Sequence, residues 1–226
     1  QKFGMIGAAG IGKSEFWSHG DKTLYLQTEA GLNHLSVYKV VLQTLEDFHD
    51  VYGQLMQAKL AGTLQYDTIV VDTLDKLIDL VNADVVASQS AKFKAVEINH
   101  ISDVPNGKGW SLSTDLAENC ISKLEKLEVA VVLVGHLETK EVKGPTSSYH
   151  KQTISLGGKT GGMILAWPDH LLSVEASIMG NELKRKVRTL PTQQIDAKSR
   201  GGMVPDGWLW GSDSKANYLK LRSAFK

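Results

Sequence analysis

The chain has 226 residues, 42% of them hydrophobic, with 25 Lys and Arg balanced by 25 Asp and Glu. That length accommodates one sizeable core, read here as a single domain over 1–226, and the neutral balance leaves no global field to steer the chain to nucleic acid or to a membrane surface. One cysteine, Cys120, excludes an internal disulfide and a cysteine-rich zinc site and suits the reducing cytoplasm, while no apolar run nears the ~20 residues that span a bilayer.

Because the chain opens on Gln1 rather than Met, a natural N-terminal segment is expected ahead of this numbering. Lys2 to Ile6 reads as a short strand leading through glycines into a helix at Lys13-Ser14-Glu15-Phe16-Trp17, and Thr23 to Gln27 reads as a second strand. Leu45, Phe48, Tyr52, Leu55, Met56 and Leu60 recur at helical spacing, with Gly62 as a stop. Thr68-Ile69-Val70-Val71-Asp72 is a compact apolar run, as in a strand buried on both faces of a parallel sheet, and Leu74, Leu77, Ile78, Val81 and Val85 mark one face of the next helix.

Periodicity fades between Ser88 and Gly109, where Pro105-Asn106-Gly107 signals a turn, and a loop is expected. A helix follows over Leu112 to Leu127, then a buried strand from Val129 to Gly135. Glu138 to Gly162 is a second stretch without periodicity, and long loops in compact domains are usually functional. His170 to Ala176 and Leu183 to Leu190 flank Met179-Gly180-Asn181 as strands flank a hairpin turn, and Ser214 to Phe225 carries a weak helical pattern. The alternation of strands and helices predicts an α/β fold with a mainly parallel central sheet and an antiparallel C-terminal extension.

The chemistry is concentrated in Gly7-Ala8-Ala9-Gly10-Ile11-Gly12-Lys13-Ser14, a complete G-x-x-x-x-G-K-S phosphate-binding loop between a strand and a helix. Its glycines let backbone amides turn onto a β-phosphate at the positive end of the helix. Lys13 would neutralise the β- and γ-phosphates of ATP, and Ser14 would offer its hydroxyl to Mg²⁺. Asp72, at a strand end, is the second expected magnesium ligand, although a strand-end acid can also simply cap the following helix. Thr73 stands where many such ATPases carry a glutamate, so the group that activates water must come from elsewhere. Glu29, just beyond the second strand, is the candidate, against the reading of a solvated loop glutamate. His136, beyond the Val129–Gly135 strand, could sense a γ-phosphate or serve as a structural donor.

These residues in this order resemble the RecA-like ATPases, and most closely the phage RecA-like recombination proteins of the Sak single-strand-annealing group. The resemblance runs from Gly7 to about Pro205, on the phosphate loop, Thr28-Glu29-Ala30-Gly31, the Thr68–Asp72 strand, Val134-Gly135-His136 and Ala197-Lys198-Ser199-Arg200-Gly201-Gly202. It implies a RecA-like P-loop core in which Glu29 is the general base and His136 the γ-phosphate sensor. Lys198 and Arg200 would be a cationic pair reaching a neighbouring subunit's nucleotide, so that homo-oligomerisation belongs to the mechanism. It also implies single-stranded DNA binding by the two stretches without periodicity, through Lys92, Lys94 and Lys108 in the first and Lys140, Lys143, Lys151 and Lys159 in the second, with Phe93, Trp110 and Tyr149 the aromatic residues at hand for base stacking. Gln27 departs from the pattern, standing where relatives often carry an acid. Two other readings keep the nucleotide site: a helicase-type or packaging motor on the same core, and a nucleotide-gated adaptor with little turnover.

Overall fold

The computed structural model describes residues 1–144, 147–179, 182–211 and 213–225. In chain order these form β1 (Lys2–Gly7), α1 (Lys13–Trp17), β2 (Thr23–Gln27), β3 (Tyr38–Val41), α2 (Leu45–Leu60), β4 (Thr68–Asp72), α3 (Leu74–Lys92) and α4 (Gly109–Glu125). There follow β5 (Ala130–Lys143), β6 (Ser148–Ile154), α5 (Gly158–Ala166), β7 (His170–Met179), β8 (Glu182–Arg188), β9 (Lys198–Ser199), β10 (Trp208–Trp210) and α6 (Ser214–Ser223).

The sheet runs β10-β8-β7-β1-β5-β4-β2-β3. Its stretch from β7 to β3 is parallel throughout, and β8 and β10 extend it antiparallel, as the alternation of strands and helices predicts. Strand periodicity divides the core in two. On β4, Ile69 and Val71 face a layer with Phe48 of α2, Leu77 of α3 and Ile121 of α4, whereas Val70 faces a layer with Phe16 of α1 and Tyr218 of α6. With helices on both faces, every residue of β4 and of β2 is buried, which is why these strands read as continuous apolar runs. Thr44 caps α2 by accepting from the amide of Asp47, whose carboxylate accepts from the Thr44 amide in return.

Two expected loops are largely ordered. Glu138 to Gly162 is not irregular: β5 continues past the sheet and pairs antiparallel with β6 from Leu137↔Ile154 to Lys143↔Ser148, and α5 follows. Most of this arm's side chains are polar, so they carry little hydrophobic alternation, and beyond its ladder with β5 the β6 strand is bridged at Gln152 to Ile195. In the Ser88–Gly109 stretch, α3 persists to Lys92, and short 3₁₀ turns at Ile101–Asp103 and Pro105–Gly107 let Ile98, Ile101 and Val104 pack on Val85. The β7–β8 hairpin forms as expected, while its turn residues Gly180 and Asn181 lie outside the described residues. β3, α5 and β10 were not anticipated. Among the described residues no helix is long and apolar enough to cross a membrane.

The topology decides where the polar strand ends meet. β5 lies between β1 and β4, with Gly7 in register with His136 and Asp72 with both Gln27 and Val134. His136 therefore stands between the glycine-rich loop and Asp72, at the carboxyl edge of a parallel sheet where α/β proteins place their ligands.

Candidate functional site

The loop after β1 needs its glycines for different reasons. Gly12 adopts φ 99°, a left-handed conformation strained for any side chain, immediately before α1. Gly7 makes a close approach, because a Cβ there would lie 3.1 Å from Ile11 Cγ2 and 3.2 Å from Val174 Cβ. The Lys13 side chain folds back under the loop, its Nζ donating to the carbonyls of Gly7 and Ala8, each at 2.9 Å. Burial lowers the Lys13 ammonium from its ordinary value, opposed by the negative charges of Asp72, Asp75 and Glu29. The result is a poorly hydrated cation at the foot of a glycine-rich loop.

Below it, Tyr25 Oη donates to the Ser14 carbonyl at 2.6 Å, tying α1 to β2. Asp72 is 5% exposed, and its Oδ2 is buried without a hydrogen-bond partner, as is Thr73 Oγ1. Burial raises the Asp72 carboxyl above its usual range, with a hydrogen bond from Ser14 and the charges of Lys13 and His136 pulling the other way and Glu29 adding to the rise. An unpartnered buried carboxylate oxygen beside a serine hydroxyl fits a magnesium ion, which prefers oxygen ligands and commonly takes one or two from the protein and others from phosphates and water. Among the described residues no group of three or more His, Cys, Asp and Glu side chains is placed to hold a metal.

Glu29 is half-buried on the turn after β2. Gln27 donates through Nε2 to the Glu29 carbonyl at 2.8 Å, and Thr28 Oγ1 donates to the Thr73 carbonyl at 2.7 Å, so this turn is fastened to β4. The departure at Gln27 thus has a local use as a backbone clamp. His136 is held by Asp75 in the first turn of α3: its backbone amide donates to Asp75 Oδ2 at 2.9 Å and its Nδ1 lies 3.2 Å from the same oxygen. A cavity of about 320 Å³ brings Gly12, Lys13, Ser14, Glu29, Asp72 and His136 together.

Other expected residues lie elsewhere. Lys198 and Arg200 stand where β9 pairs with the first residues of β7, at the end of the sheet opposite the cavity. Lys198 Nζ donates to the Ala166 carbonyl at 2.7 Å, and Arg200 pairs with Asp169 at 2.8 Å. Lys140 and Lys151 face each other across the β5–β6 arm, each paired with a carboxylate, Glu138 and Asp196 respectively. Lys159, on α5, lies 3.8 Å from Asp115. Lys143 is exposed near the end of β5, while Lys92, Lys94 and Lys108 form a separate exposed group at the end of α3 and the start of α4.

Sequence reasoning missed Asp75, Arg185 and Trp210. Asp75 had a signal, an acid three residues beyond a strand-end acid. Arg185, on β8, had only its place in a basic strand. It lies over the Trp210 ring at 5.8 Å, and a Cβ at Gly12 would come 3.7 Å from Trp210 Cζ2 and 3.9 Å from Arg185 Nη1, so these two side chains wall the loop.

A family model described as AAA domain matches residues 1–201. No curated protein sequence matches the chain. The chain is similar in structure to the flagellar accessory protein FlaH from Methanocaldococcus jannaschii, at 13% identity and TM-score 0.43 over 88% of this chain and 79% of that one. It is also similar to a KaiC-like protein from Pyrococcus horikoshii OT3, at 9% identity and TM-score 0.49 over 94% of this chain and 86% of that one.

Proposed function

The chain belongs to the AAA domain family, and from that premise we propose that it is a magnesium-dependent ATPase of RecA-like architecture that acts on single-stranded DNA in phage recombination or annealing. The observation that carries the catalytic part is the convergence of Lys13, Ser14, Glu29, Asp72 and His136 on one cavity at the carboxyl ends of four neighbouring parallel strands. Loop amides and the Lys13 ammonium bind and orient the triphosphate of ATP. Ser14 and Asp72 would hold magnesium, which would supply charge neutralisation on the phosphates. Glu29 accepts the proton of the attacking water, and His136, from the adjacent strand end, senses the terminal phosphate. A competing role for Asp72 as a helix cap has less support, because its Oδ2 makes no hydrogen bond.

The DNA and assembly parts rest on the resemblance in motifs and on two features of the surface. The β5–β6 arm carries Lys140 and Lys143 on the continuation of the strand that bears His136, and Lys151 on its partner, a route by which nucleotide state reaches these lysines. Arg200 is 66% exposed in its side chain and remote from its own chain's cavity, as a residue serving a neighbouring copy would be. The test is the ATPase rate of the purified chain titrated with single- and double-stranded DNA at fixed salt, since phosphate contacts are salt-sensitive. Stimulation by single strands is expected. Tight ATP binding with a rate that no DNA changes would replace this reading with a nucleotide-gated adaptor, and DNA-dependent translocation would replace it with a motor.

A further inference from the structure

Asp75 belongs to none of the motifs in the sequence, yet both of its carboxylate oxygens are committed. Oδ2 takes the His136 backbone amide and lies 3.2 Å from the His136 Nδ1. Oδ1 accepts from the Ser155 hydroxyl, and the Ser155 amide donates to the His136 carbonyl at 3.0 Å. Ser155 directly follows β6, so one carboxylate on α3 joins the end of the parallel part of β5, a ring that lines the phosphate cavity and the root of the β5–β6 arm.

We propose that Asp75 is a positioning residue, which fixes the place and tautomer of His136 at the cavity while clamping the root of the β5–β6 arm to the same ring. A carboxylate oxygen only accepts hydrogen bonds, so a charge-pair distance of 3.2 Å favours the proton on the ring nitrogen nearest it. In neutral His136 the proton therefore resides on Nδ1, and Nε2 is left as the acceptor available to the cavity; when the ring is charged, Nε2–H becomes a donor. A carboxylate orienting a histidine through its second nitrogen is a recurrent way of fixing which atom does the work. Ser155 occupies the other oxygen, which keeps the carboxylate from rotating away. For turnover the inference rests on the ATPase reading, but for the tautomer it rests on geometry alone.

The first test needs no variant. In the full chain with ¹⁵N-labelled histidine, at a pH where the ring is neutral, long-range ¹H–¹⁵N correlation should show His136 protonated on Nδ1. A proton on Nε2 overturns the proposal. Asp75→Asn, whose amide can donate to Nδ1, should move the proton to Nε2 and lower kcat by about 10- to 100-fold, with ATP affinity within about threefold of wild type. Introduced alongside His136→Ala it should cost nothing further, because both changes disable one unit. Equal loss on either background, or a fall in kcat with the wild-type tautomer retained, assigns Asp75 a merely structural part and overturns the proposal. Should Asp75→Asn fail to fold, the wild-type spectrum still decides. A wild type that binds ATP without turning it over sinks the ATPase reading and leaves the tautomer to judge Asp75.

Discussion

The two ends of the central sheet use the same residue types under opposite conditions. At the carboxyl edge Lys13 is buried, Asp72 has a carboxylate oxygen and Thr73 a hydroxyl without partners, and the half-buried Glu29 borders the same cavity. At the amino edge Lys198, Arg200 and Asp169 are all satisfied, by the Ala166 carbonyl and by one another. Folding does not leave buried polar groups unpaired without a use for them, so the first end is built around something it does not itself supply. The Lys198, Arg200 and Asp169 cluster is complete as it stands, and any role for it in a neighbouring copy requires these contacts to be exchanged.

The largest effect should come from the buried cation. Lys13→Ala removes the ammonium beneath the loop motif and is expected to lower kcat/KM for ATP by about 10³- to 10⁵-fold. Glu29→Gln comes next: it should reduce kcat by about 10²- to 10⁴-fold while leaving ATP affinity, measured with a fluorescent analogue, within a few fold. Normal turnover in that variant would remove Glu29 from the site.

Asp72→Asn sharpens the contrast through stability. Burial raises the Asp72 carboxyl, so the folded chain holds that proton more tightly than the unfolded one. The stabilising contribution is therefore present below the raised value and is lost as pH climbs from the ordinary carboxylate range through it. Without nucleotide, Asp72→Asn should stabilise the chain by about 1–2 kcal/mol at neutral pH and flatten that part of the pH dependence of thermal unfolding, while abolishing extra protection by magnesium and ATP together. Destabilisation of the ligand-free protein would mean that the carboxylate has partners after all.

Arg200→Ala should have the smallest effect within one chain. Its pair with Asp169 is largely exposed, so the cost to stability should be below about 1 kcal/mol, with ATP affinity unchanged. The informative measurement mixes it with Lys13→Ala protein. Recovery of part of the turnover would show that a satisfied surface pair is traded for a contact with the neighbour's nucleotide, and no recovery would keep the amino edge structural.

Much of the fold was legible because burial writes itself into sequence. β2 and β4 are hidden on both faces and read as continuous apolar runs, while α2 and α4 show one-sided spacing. The β5–β6 arm was illegible for the converse reason: beyond Leu137 and Ile154 at its root its side chains are mostly polar, and its order lies largely in backbone hydrogen bonds that no side-chain pattern reports. β3 lies at the sheet edge, largely exposed, and gave equally little signal. At the site, the glycine-rich loop was explicit because its backbone geometry demands particular residues in order. Asp75, Arg185 and Trp210 reach the site from separate elements, and only the strand order brings them there.

The aromatic packing beneath that loop has a consequence for how the protein is made. Phe16 contacts Trp210 at 5.1 Å and Tyr218 at 5.8 Å, and Phe3 contacts Phe225 at 5.4 Å, so the platform under α1 is closed by residues from the far end of the described chain. Synthesis at about 5–20 residues per second presents the loop and its helix first and delivers their aromatic wall roughly 10–40 s later. Until then Phe16 and Trp17 are an uncovered apolar surface on a nascent chain, a handle for chaperones and a hazard for neighbouring ribosomes. The loop motif is thus translated well before the aromatic wall that completes its surroundings.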